Sequence, residues 1–159
     1  MALAAAVLFL PAWSRAADDA PPAAPGTSLV PAPAAATDRD ALLAERELAQ
    51  AQFLRLMDEK RYAEAETIAA QIVRLSTRLF GAQDIARASP LKNLATAQLE
   101  KGDLVTAATN YQACIDLVEK REGVLSPRLT DALLGLAKAH LRVGRYEEAW
   151  FVFSDLLGI

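Results

Sequence analysis

From Asp38 onward the apolar residues recur at the three-four spacing of a single helix face, stop, and then begin again. Leu91, Leu94, Ala95 and Leu99 make one such stripe, and Leu133, Leu136, Ala137 and Leu141 make another. Each ends shortly before a glycine, Gly102 or Gly144, able to take the left-handed conformation that closes a helix. A second stripe follows the glycine: Ala107, Tyr111, Cys114, Ile115 and Val118, matched earlier in the chain by Ala65, Ala69, Ile72 and Val73. The pattern predicts pairs of antiparallel helices, each pair a helix A, a tight corner and a helix B. Gly81 and Gly123 are placed to end the B helices. Ser126-Pro127 reads as the start of the third helix A, with serine as cap and proline first, where its missing amide proton costs nothing. Pro90 interrupts the second helix A: it predicts either a kink or a start with Ser89 as cap and Pro90 first.

Sliding the chain along itself exposes the period. Tyr62, Leu104 and Tyr146 stand 42 residues apart, as do Ala65, Ala107 and Ala149, and Ile72, Cys114 and Leu156. Gly102 matches Gly144, and "LATAQL" at 94–99 matches "LAKAHL" at 136–141. The units run about 38–80, 81–122 and 123–159. In the first unit Lys60 stands where the corner glycine is expected, and Phe53 replaces the small residue of helix A.

Copies of "LAKAHLRVGRYEEA" across a helix corner resemble tetratricopeptide repeats, in the 42-residue form similar to the kinesin-light-chain type. The small residue followed four positions later by an aromatic appears as Ala107 to Tyr111 and Ala149 to Phe153. The resemblance covers roughly residues 39–157. It implies an all-α fold, an α-solenoid of stacked helix pairs forming a right-handed superhelix, whose concave face is lined by A helices and holds a peptide or protein segment. The groove positions it implies are Glu47, Gln50, Ala51 and Leu54, then Ser89, Lys92, Asn93 and Thr96, then Asp131, Leu134, Gly135 and Lys138. A subset of the family clamps a peptide's terminal carboxylate with lysine, asparagine and arginine. Only Asn93 matches that clamp, and Gln50, Leu54, Asp131 and Gly135 depart from it. The groove expected here is mixed, polar at Gln50, Lys92 and Lys138 and apolar at Leu54 and Leu134.

Composition agrees with helices: 53% of the 159 residues are hydrophobic but only 6% aromatic, so apolarity comes mainly from Ala and Leu. Seventeen Lys and Arg face twenty Asp and Glu, without a basic block, so neither nucleic acid nor a membrane surface is the expected partner. One cysteine and one histidine leave no internal disulfide and no usual zinc set, so no metal and no cofactor is expected. Cys114 occupies an apolar helix B position and reads as a buried, inert thiol. His140 occupies a packing position without an acid or nucleophile at a recognisable spacing, which argues against an enzyme. Glu147 and Glu148 fall in the first turn of the last helix, where its dipole favours negative charge.

The first 37 residues differ in kind. Leu3 to Trp13 has the length of a signal-peptide hydrophobic region, and Ser14-Arg15-Ala16 supplies small residues for cleavage after Ala16. Residues 1–16 therefore read as a signal peptide, although the basic segment usual before the apolar core is absent. Residues 17–37, rich in proline and alanine, read as a disordered linker, and 38–159 as the repeat domain. The expected protein is a periplasmic or secreted, non-catalytic interaction module or adaptor. The alternative is a membrane-tethered or cytoplasmic scaffold that keeps its amino terminus and serves self-association or complex assembly. Trp150, Phe151 and Val152 exceed what the last helix needs for packing, since the second copy has Ala108, Thr109 and Asn110 there. Trp150 and Phe151 thereby mark a self-association end, and a homodimer through the last helix is the sharper expectation.

Overall fold

The computed structural model describes residues 33–157. Six helices succeed one another: α1 (Pro33–Asp58), α2 (Tyr62–Phe80), α3 (Ala88–Lys101), α4 (Leu104–Glu122), α5 (Leu129–Val143) and α6 (Tyr146–Leu157), with a short 3-10 turn at Ile85–Arg87 before α3. No strand occurs among the described residues. The expected signal peptide, 1–16, and the expected linker up to residue 32 lie outside the described residues. Helix α1 starts at Pro33, ahead of the boundary at 38 expected from sequence. Proline fits the first helical position and the alanines behind it are the strongest helix formers, so the linker's last residues extend the helix.

The three corners share one hydrogen-bond scheme. The amides of Arg61, Asp103 and Arg145 donate back to the carbonyls of Leu56, Gln98 and His140, each at 2.9 Å. Their own carbonyls then accept from Ala65, Ala107 and Ala149, the first bonds of the next helix. Such a corner needs a left-handed residue at the helix end. Gly102 and Gly144 provide it at φ 98° and 87°, and Lys60 adopts φ 57° in the first copy, the only non-glycine with positive φ among the described residues. Bringing a β-carbon into that region costs about 1 kcal/mol or more. The first corner is thus formed against local preference.

Two helix starts differ from the sequence expectation. Helix α3 begins at Ala88, so Pro90 falls buried inside its first turn, where amides lack intrahelical partners in any case. Helix α5 begins at Leu129 rather than at Pro127. Ser126 and Pro127 instead form a turn before it, with the Ser126 hydroxyl accepting from the Arg128 amide at 3.3 Å.

Each helix packs on its neighbour in sequence, and α3 also touches α5. Alanines with no exposed surface, Ala65, Ala69, Ala95, Ala107 and Ala132 among them, let the helices approach closely. Larger side chains fill two cores. Phe53, Leu56 and Ile72 centre the one between α1 and α2, and Leu91, Leu99, Tyr111, Ile115 and Leu136 centre the one shared by α3, α4 and α5. At the far end of the first pair, Arg39 donates to the Leu79 carbonyl at 3.0 Å, and Arg39 and Arg46 both lie over the Phe80 ring.

Candidate protein-binding faces

Helices α1, α3 and α5 carry the expected groove positions. Leu54 is 55% exposed and Leu134 36% exposed, while Lys138 is exposed and Gln50 and Asn93 are half-buried. The face is not a row of independent contacts, however. The Lys92 ammonium meets the Asp131 carboxylate at 2.8 Å and so ties α3 to α5. Hydrogen bonding to Lys92 holds the Asp131 carboxyl below the usual range. Thr96 is turned inward: its hydroxyl bonds the Lys92 carbonyl at 2.8 Å and the Tyr111 hydroxyl at 3.0 Å. Gly135 is covered altogether. A β-carbon there would collide with the Tyr111 ring and sit 2.7 Å from its hydroxyl, so the glycine is the hole that the tyrosine fills. Burial pushes the Tyr111 phenol up. Exposed groove positions are Glu47, Ala51 and Leu54 on α1, Ser89 on α3, and Leu134 and Lys138 on α5 beside the neutralised ion pair.

At the edge of this face a cleft of about 210 Å³ opens between Ser89, Lys92, Arg128 and Asp131, with Cys114 and Val118 behind it. The Cys114 thiol is buried, which raises its pKa above the ordinary value and lowers its thiolate fraction. Arg128 is already engaged by Glu122 at 2.8 Å.

A polar cluster that sequence reasoning missed joins α2, α3 and α4. Glu66 accepts from Gln98 at 3.1 Å and from the Lys101 ammonium, and the Asn110 amide donates to the Gln98 oxygen at 2.8 Å. Gln98 is 5% exposed, so these bonds satisfy an amide that has left water. The Glu66–Lys101 bond moves the two pKa values apart, Glu66 downward and Lys101 upward. The signal was in the repeat: one period later the four residues become Ala108, His140, Val143 and Val152. There a cleft of about 250 Å³ opens between α4, α5 and the last corner, lined by Val105, Leu136, His140 and Val143. Neither a carboxylate nor a thiol lines it. His140 therefore has no acid beside it in the cleft to form a dyad.

The remaining face is on α6. Trp150 and Phe151 are 64% and 66% exposed, Tyr146 is 70% exposed, and Leu157 lies open on the same helix. Among the described residues, no three of His, Cys, Asp and Glu converge as metal ligands, and no helix is long and apolar enough to cross a membrane.

Against known proteins, a family model for the tetratricopeptide repeat matches residues 48–120, from the second half of α1 to the last turn of α4. No curated protein matches the chain.

Proposed function

Residues 48–120 belong to the tetratricopeptide repeat family, and on that premise we propose that the chain is an exported, non-catalytic adaptor binding a peptide or protein segment across α1, α3 and α5. The reading is carried by Leu54 and Leu134, open apolar side chains on the A helices, with the Lys92–Asp131 pair on the same face. Two apolar anchors beside polar groups suit a short helix or an extended segment with a few apolar side chains. A terminal carboxylate clamp is not supported, because Lys92 is neutralised by Asp131 and Gln50 is uncharged. Export rests on the apolar stretch Leu3 to Trp13 and the cleavage-like residues behind it.

The test of binding is to replace Leu54 and Leu134 with Asp and compare the partners captured from an envelope extract with those of the unaltered chain. Loss of a partner from a variant that melts normally supports the face, and an unchanged set overturns it. Mass spectrometry of the amino terminus after expression in an export-competent host tests localisation. A mature chain beginning near Ala17 is expected. An intact Met1 favours the tethered or cytoplasmic alternative.

A further inference from the structure

The two ends of the helix stack differ in a way that assigns one of them a partner. On α5, the side received by α4 carries Leu129, Ala132, Leu136 and Ala139, all buried. The equivalent side of α1, two periods earlier, carries Glu45, Leu48, Gln52 and Arg55, all exposed, and Arg55 is paired to Glu59 one turn on at 3.7 Å. Leu48 apart, that end is polar and charged. On α4, the side that receives α5 carries Leu104, Ala108, Tyr111 and Ile115, half-buried or buried. Its equivalent on α6 is Tyr146, Trp150, Phe153 and Leu157, and Phe151 lies alongside. Helix α6 thus presents larger apolar side chains than α4 where α4 seats a helix.

We propose that this face of α6 is a homodimer interface, in which α6 of one copy packs on α6 of a second copy. Head-to-tail stacking would set the α6 aromatics against Glu45, Gln52 and Arg55 of the next copy beside Leu48, burying charged groups under apolar rings. A two-fold pairing puts like against like and closes on itself. The area is sufficient for a modest dimer. Three aromatic side chains of roughly 200 Å² each, about two-thirds exposed, give roughly 400 Å² per copy. Leu157 and the polar rim carry the sum over both copies toward the roughly 1,000 Å² that specific interfaces reach. Trp150 lies near the middle of α6, so parallel and antiparallel pairings alike place it near its own counterpart.

Sedimentation equilibrium of the full chain across roughly 1–100 μM should show a monomer–dimer equilibrium, as mass action requires. Trp150→Ser with Phe151→Ser should move it to monomer while leaving the thermal midpoint of a dilute sample unchanged. Independently, Trp150→Cys should form a disulfide-linked dimer on mild oxidation, whereas Val105→Cys, an exposed apolar position on α4, should not. The buried Cys114 supplies the unreactive background. A monomeric mass at about 100 μM overturns the proposal, as does association that survives the double serine variant or equal cross-linking of the two cysteine variants. Groove binding does not depend on α6, so the two readings fail separately.

Discussion

Two seams of the same solenoid, one period apart, are closed by opposite means. Between α2, α3 and α4 the contact is polar: Glu66, Gln98, Lys101 and Asn110 satisfy one another around an amide that has lost its water. Between α4, α5 and α6 the same four places hold Ala108, His140, Val143 and Val152, and the contact rests on shape, with Tyr111 seated in the gap left by Gly135. The backbone hardly registers the exchange, because the corners on either side keep identical bonds. The repeat therefore fixes the scaffold, while the seam positions are free to be spent on hydrogen bonds or on packing. Each seam borders a cleft: one of about 360 Å³ between Tyr62, Ala63 and Lys101 beside the polar seam, and one of about 250 Å³ at the other.

The largest effect should come from breaking the second seam at its tightest point. Gly135→Ala should cost about 2–3 kcal/mol, read as a lower urea midpoint at unchanged slope, because the added β-carbon collides with the buried Tyr111 ring, whose hydroxyl is bonded to Thr96. Asn93→Ala, the same place on α3, should cost less than about 1 kcal/mol. Equal losses would erase the distinction between the seams.

Next in size is Gln98→Leu, which leaves Asn110 without its acceptor and Glu66 without one donor. A loss of about 1–2 kcal/mol is expected. His140→Leu, at the equivalent place on α5, should stay within about 0.5 kcal/mol of the parent or stabilise it. A loss there comparable to that at Gln98 would mean that His140 has a polar partner the seam argument omits.

The corners sharpen the same comparison, since they isolate backbone from side chain. Lys60→Gly should raise stability by about 0.5–1 kcal/mol, because glycine relieves the left-handed strain but loses more freedom on folding. Thermal melting of Gly102→Lys should show the opposite sign.

The smallest effect is the pH dependence of the polar seam. Hydrogen bonding to Lys101 depresses the Glu66 pKa in the folded state, so the unfolded chain takes up a proton first as pH falls. Stability from this group is present above the ordinary carboxylate pKa near 4.5 and drains away below it. With Lys101 well exposed, the amount should be under about 1 kcal/mol. Denaturation of Glu66→Gln between pH 3 and 7 should show a correspondingly flatter profile, and an unchanged profile would remove Glu66 from the account.

Much of the fold could be read from sequence because the repeat samples each position three times. Tyr62, Leu104 and Tyr146 do open α2, α4 and α6, and the left-handed corner falls where Gly102, Gly144 and the substituted Lys60 predicted it. The helix starts expected at Pro90 and Pro127 were each misplaced by two residues, since a capping signal does not distinguish a preceding 3-10 or turn segment from the first helical turn. The faces were less legible. Spacing gives which side of a helix a residue occupies, but not whether a neighbour from another helix has claimed it. Lys92 and Asp131 meet each other, Thr96 turns to Tyr111, and Gly135 lies beneath that ring. Each of these pairings joins residues 15 to 39 positions apart in different helices, beyond the reach of any single stripe.

A chain of three similar units must also avoid assembling in the wrong order, since any B helix resembles the others closely enough to dock on any A helix. Tyr111 settles the order for α4. Its ring demands a glycine at one place on the following helix, and α3 offers Asn93 there while α1 offers Ala51. The earlier B helix carries Ala69 in place of the tyrosine and fills no such gap. The Tyr111–Gly135 contact thus serves as an address: of the three A helices, α5 alone leaves the space that the α4 tyrosine occupies.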